Sequence, residues 1–148
     1  MSALCLSCGV CCDGTLFATA PLAPGEAARL AERVSVLDAD TMEFPCRALD
    51  GVRCTIYDDR PRICREFNCL VLAELAAGRI TEEEARAFID EVLTRRRALA
   101  DAMGLTDDAG ALREARALAK ANALEPAALA ALERLTRALM FLKLPLPG

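Results

Sequence analysis

The segment Cys5-Leu6-Ser7-Cys8-Gly9-Val10-Cys11-Cys12 sets four thiols within eight residues. Two-residue spacers let successive thiolates converge on one metal centre, while backbone N–H groups of the turn face the sulfurs, as a negatively charged thiolate cluster requires. Gly9 suits such a tight loop because it tolerates positive φ. Adjacent residues point their side chains apart, so Cys11 and Cys12 are expected to differ in role, one of them serving a second centre or none.

A second group follows: Phe44-x-Cys46, then Cys54-x-Ile56-Tyr57-x-x-Arg60-Pro61-x-x-Cys64-Arg65-x-Phe67-x-Cys69. The eight metal-ligand candidates are therefore Cys5, Cys8, Cys11, Cys12, Cys46, Cys54, Cys64 and Cys69. Two groups of four suit two four-thiolate sites or one polynuclear site drawing on both. The competing account is packing, since a free cysteine fills space as a small hydrophobe. Cys12 and Cys46 are the two most open to that account, because four ligands already satisfy one tetrahedral site or one cubane. Arg47, Arg53, Arg60, Arg62 and Arg65 lie in the same stretch, and guanidinium groups beside thiolates lower their pKa values. Arginine outnumbers lysine throughout the chain, so only this local density carries information. Arg60, Arg65 and Tyr57 are the residues expected to surround the bound group.

Histidine is absent, which removes every His-containing metal site and every Ser–His or Cys–His nucleophile pair. Sulfur must then supply most of the ligands. A net charge of −4 and a pI near 5.0 leave no electrostatic footprint for nucleic acid. The first cysteine follows Met1 closely, with no basic or apolar leader between them, so a reducing cytoplasm is expected, where clustered cysteines hold metal more often than disulfides. No apolar run reaches membrane-spanning length, and no membrane association is expected.

At 148 residues and 54% apolar composition, the chain is long enough for one domain with a hydrophobic core. Residues 1–23 read as a cysteine-rich loop. A helix is predicted over Pro24–Leu37, with Pro24 in its first turn. Residues 38–69 read as turns with one short hairpin, and Arg60-Pro61 can open a helical turn leading into Cys64. Leu70–Ala77 is a short helix stopped by Gly78. Thr81-Glu82-Glu83-Glu84 is a capping box opening a helix with Phe88, Ile89, Val92, Leu93, Leu99 and Met103 at helical spacing, stopped by Gly104. Helices over 107–122 and Pro126–Lys143 follow, the last with Leu129, Leu132, Leu135, Leu139 and Leu142 as its stripe. The fold expected is mainly α: an irregular, cysteine-rich, metal-binding half (1–69) packed on an antiparallel helical bundle (70–148), the two together forming one domain.

The combined motif, Cys-x2-Cys-x2-Cys-Cys followed by Phe-x-Cys and Cys-x-Ile-Tyr-x-x-Arg-Pro-x-x-Cys-Arg-x-Phe-x-Cys, resembles the YkgJ-type cysteine-cluster family of zinc- or iron-chelating proteins. The resemblance covers about residues 5–69 and implies that the eight cysteines occupy the family's cluster positions. A bacterial flagellin lysine methylase is similar in its cysteine cluster, but this chain is too short to promise that chemistry.

Three functions follow. The first is an iron–sulfur protein, its cluster serving electron transfer, redox sensing or an enzyme reaction, favoured by the ungapped repeat of the two-residue spacer. The second is a structural, all-cysteine zinc module presenting its helices to a protein partner. The third is metal storage or delivery. No catalytic residue is assigned. Of the polar candidates Asp13, Tyr57, Asp58, Asp59, Arg60, Arg65 and Asn68, Tyr57 reads as a packing residue and Asp58-Asp59 as a solvated turn. No phosphate loop, dinucleotide fingerprint or nucleophile elbow is present.

Overall fold

The computed structural model describes residues 3–143, which are mainly helical. They divide into two units, the first ending at Asn68 and the second beginning at Cys69.

In the first unit, helix α1 (Ala3–Cys8) occupies part of the segment expected to be a loop. Helical backbone puts Cys5 and Cys8, three residues apart, on one face. The chain then turns: the N–H groups of Cys12 and Asp13 both donate to the Gly9 carbonyl, at 2.9 and 3.0 Å. Those donors close the turn and are not left for sulfur, contrary to the expectation from spacing.

Strand β1 (Thr19–Pro21) pairs with β3 (Thr41–Glu43), which pairs in turn with β2 (Val36–Asp38), all antiparallel in the order β1-β3-β2. Met42 lies at the centre, opposite Ala20 on one side and Val36 on the other. Helix α2 spans only Glu26–Leu30. The helix predicted over Pro24–Leu37 is therefore cut at both ends: Gly25, at φ +82°, precedes it, and Val36 leaves for the sheet. Leu30 and Val34 keep their helical spacing as far as the core, where they meet Leu22 and Met42. Beyond Val34, pairing with β3 offers the backbone more than another helical turn does.

Strands β4 (Leu49–Asp50) and β5 (Arg53–Cys54) form the hairpin, with Gly51 at φ +60° in its turn. A 3-10 turn (Tyr57–Asp59) and helix α3 (Arg62–Glu66) complete the unit.

The second unit is helical: α4 (Leu70–Ala76), α5 (Glu82–Met103), α6 (Asp108–Lys120) and α7 (Pro126–Lys143). Its boundaries follow local signals. Thr81 and Glu84 close a full capping box, Asp107 caps α6 by accepting from the Gly110 N–H, and Gly78 and Gly104 take the positive φ that ends α4 and α5. Its core is Ala85, Ile89, Val92 and Leu99 of α5, Leu112 of α6 and Leu132, Leu135, Leu139 and Leu142 of α7. Leu129 departs from its predicted stripe and is 40% exposed, with Ala128 buried in its place. Among the described residues, no helix is long and apolar enough to cross a membrane.

Candidate metal centre

Four segments of the first unit carry thiols toward one another. The Cys46 N–H donates to the Cys12 carbonyl at 2.8 Å, joining the first cysteine group to the second. Ser35 fixes the backbone on both sides of Cys46: its hydroxyl donates to the Pro45 carbonyl at 3.1 Å and accepts from the Arg47 N–H at 3.0 Å. From Cys46 the chain reaches the hairpin directly, because the Leu49 N–H donates to the Cys46 carbonyl at 3.0 Å and Leu49 pairs with Cys54. Cys64 on α3 and Cys46 both pack against the Leu22–Leu30–Val34–Met42 core.

The electrostatics follow from this convergence. Burial first, then the thiols of Cys54, Cys64, Cys46 and Cys5, push the Cys12 thiol up to about 12. Burial, then Cys46 and Cys54, push Cys64 up to about 12, with the Arg60 charge acting the other way. Burial also raises Cys46, against the backbone N–H groups of Ala48 and Ser35, while Cys54 raises it further. Cys12, Cys46, Cys54 and Cys64 thus act on one another in every pairing, and Cys5 acts on Cys12. Ionising Cys12, Cys46 or Cys64 alone is opposed by burial and by its neighbours. A thiophilic cation removes both penalties, so this donor set fits a bound metal. Among the described residues, no three Cys, Asp or Glu side chains stand at ligating distance around one point.

The first cysteine segment is held against the hairpin. Helix α1 packs on β5, and Gly9 at φ +70° approaches Val52 so closely that a Cβ there would lie 3.1 Å from the Val52 Cα. Gly9 therefore serves a close backbone approach as well as a turn. Cys8 and Cys11 are half-buried on this segment and Cys5 is exposed. None of the eight cysteines is disulfide-bonded. Cys69 lies in the second unit as the N-cap of α4, where burial raises its thiol and the Leu72 and Val71 N–H groups lower it, although no side-chain capping bond closes.

The residues between the cysteines have identifiable work. Ile56 and Phe44 pack against the apolar core. Tyr57 receives the Arg60 guanidinium over its ring, 3.8 Å from the centroid, and Arg60 also donates to the carbonyls of Tyr57 and, at 3.2 Å, Cys64. Arg65 donates to the Arg60 carbonyl at 2.9 Å. Phe67 meets Phe17 edge to face, with centroids 4.9 Å apart. Arg62 pairs with Glu66 on the helix surface instead of facing a thiol. Asp59, expected in a solvated turn, ion-pairs with Arg29 at 2.6 Å and with Arg33, tying the 3-10 turn to the α2 region. Asp50, Arg53, Cys54, Thr55, Tyr57 and Asp58, with Leu6 of α1, line a half-open pocket of about 340 Å³ beside Cys54.

One residue was not singled out by sequence. Glu26 is 7% exposed, and its carboxylate accepts from the Ala23 N–H at 3.0 Å and the Arg62 N–H at 2.8 Å. No spacing rule connects it to α3. Its signal in the sequence, an acid at the start of a helix, reads as ordinary capping.

The sequence model of the family CxxCxxCC, "Putative zinc- or iron-chelating domain", matches residues 4–90, and the chain belongs to that family. The match reaches beyond the last cysteine, through α4 and into α5. No curated protein and no solved structure matches the chain.

Proposed function

We propose that this member of the chelating family holds an iron–sulfur cluster through Cys12, Cys46, Cys54 and Cys64, with Cys5, Cys8, Cys11 and Cys69 as the further thiols of the family pattern. Its role in this proposal is electron transfer or redox sensing with a protein redox partner in a reducing cytoplasm. The observation that carries it is that four separate segments bring Cys12, Cys46, Cys54 and Cys64 into one neighbourhood, through the Cys12–Cys46 backbone bond, the hairpin register and the shared apolar core, where each pair is close enough to interact electrostatically. An iron–sulfur cluster supplies one-electron chemistry when bound, at a potential set by charge, hydrogen bonds to sulfur and exposure.

The chain's own residues contribute the surroundings. Arg60 places a positive charge near Cys64, and the N–H groups of Ala48 and Ser35 favour the thiolate of Cys46. Iron–sulfur is preferred over zinc because the thiols outnumber one tetrahedral set. The zinc alternative draws on the same four-thiol group, which is also a complete ligand set for a structural ion. The test is purification without oxygen from iron-replete cells, with a visible spectrum and counts of iron, acid-labile sulfide and zinc. Brown protein containing iron and sulfide is expected. Colourless protein with full zinc occupancy would replace the proposal with a structural zinc module.

A further inference from the structure

We infer that Glu26 is a positioning residue for the metal centre, setting the place of Cys64 through its hydrogen bond to the first backbone N–H of α3; the inference rests on the four-thiol reading above. A short helix leaves its first N–H groups without intrahelical partners, and these are ordinarily satisfied by a side chain at the N-cap. Here the N-cap is Pro61, and no side-chain capping bond is made from that position. Glu26, thirty-six residues before Arg62, supplies the missing acceptor: Oε1 takes the Arg62 N–H at 2.8 Å. A helix of five residues has little stability of its own, so its placement depends on such tertiary ties. Cys64 sits in the middle of that helix.

The carboxylate is itself well anchored. Oε2 accepts the Ala23 N–H at 3.0 Å, and Arg29 lies 3.6 Å from Oε1. A buried carboxylate is costly unless its oxygens are bonded, and these are. Two donors on two oxygens also explain why an acid stands here: an amide would turn an N–H₂ group toward one of them. The charge works against a thiolate at Cys64, since Glu26 raises that thiol. Geometry is therefore its contribution to the site.

The experiment titrates full-length, metal-free protein with cobalt(II), whose thiolate charge-transfer absorbance reports sulfur ligation, and measures zinc affinity by chelator competition. Cys64→Ser sets the reference for loss of that thiolate. Glu26→Ala is expected to weaken zinc binding by about 10–100-fold and to lower the charge-transfer absorbance toward the Cys64→Ser value. Glu26→Gln, whose carbonyl oxygen can take the Arg62 N–H with its N–H₂ turned to the Ala23 side, should be less stable than the parent yet stay within about threefold of its zinc affinity. Should Glu26→Ala fail to fold, Glu26→Asp shortens the reach while keeping the charge, and its zinc affinity should fall together with the exchange protection of the Arg62 amide. Unchanged binding in Glu26→Ala or Glu26→Asp, or equal weakening in Glu26→Ala and Glu26→Gln, overturns the inference while leaving the metal site standing. Unchanged binding in Cys64→Ser overturns the four-thiol reading and the inference with it.

Discussion

Cys12 and Cys46 are joined through the backbone, the N–H of Cys46 donating to the carbonyl of Cys12 at 2.8 Å. By spacing alone these were the two cysteines most open to a packing role. The bond instead sets Cys12 beside the second cysteine group, where its thiol is raised by Cys54, Cys64 and Cys46 after burial. Cys12→Ser and Cys46→Ser should therefore each weaken zinc binding by at least about tenfold, as should Cys54→Ser and Cys64→Ser. Chelator competition on the four variants measures this. Parent-like affinity in Cys12→Ser would remove it from the ligand set.

Gly9 and Gly51 offer a paired test of how the first cysteine segment is held. Both have positive φ, so alanine at either costs roughly 1–2 kcal/mol in backbone conformation. At Gly51 nothing lies within 4 Å of the added Cβ, whereas at Gly9 the Val52 backbone is 3.1 Å away. Gly9→Ala should lower the unfolding midpoint more than Gly51→Ala and also weaken metal binding. Equal effects would mean that the approach to Val52 is readily relaxed.

Acid should loosen the first unit through Glu26 and Asp59. Burial pushes Glu26 up, but the Ala23 and Arg62 N–H bonds and the Arg29 and Arg65 charges outweigh it, leaving its pKa below the ordinary 4.5. Asp59 lies below 3.8, chiefly through its bond from Arg33 and then, against a desolvation penalty, the Arg29 and Arg33 charges. Depressed carboxylate pKa values stabilise the fold fully above the unfolded values and lose that contribution as pH falls through the folded ones. Denaturant titrations of the metal-loaded protein should show stability falling below about pH 4.5. The fall should be shallower in Asp59→Asn. An identical profile in that variant would exclude Asp59 from the linkage.

Thr81 isolates the helical unit. Its hydroxyl accepts the Glu84 N–H at 3.1 Å, and the Glu84 carboxylate accepts the Thr81 N–H at 2.8 Å. Thr81→Ala should cost about 0.5–2 kcal/mol while leaving metal stoichiometry unchanged. Calorimetry and metal analysis on one preparation check both halves. Loss of metal would show that the cap at α5 bears on the site.

The two units differ in how far their sequences could be read, and the reason is the range of the signals. Thr81, Gly78, Gly104 and Asp107 act within a turn of where they stand, so α4 to α7 were predicted nearly to the residue. Strands of two or three residues are too short to show alternation, and β1 to β3 are set by partners elsewhere in the chain, whereas β4 and β5 meet across a two-residue turn within the stretch expected to hold one short hairpin. Val36 shows the consequence: it extended a helical pattern by spacing but pairs with Met42 in the sheet. The thiols were visible as a set because their residue type is informative. Their grouping was not, since it depends on the Cys12–Cys46 bond and on the hairpin register.

Removal of metal should affect the two units unequally. The first unit rests on short strands, helices of five or six residues and an apolar core of Leu22, Leu30, Val34 and Met42, against which Cys46 and Cys64 pack. Such a core covers little of the ordering entropy, and the gathered thiols, with Cys12, Cys46 and Cys64 raised by burial and by one another, add no attraction of their own. Binding energy from a thiolate-bound metal becomes folding energy in this situation. The second unit has its own buried leucine core and contains no cysteine beyond Cys69. Hydrogen exchange before and after chelation should therefore show protection lost across residues 3–68 and kept in α5 and α7. Cys12→Ser with Cys64→Ser should reproduce the chelated pattern without chelator. Native protection across residues 3–68 after complete metal removal would mean that the apolar core suffices and that the metal has no share in folding the first unit.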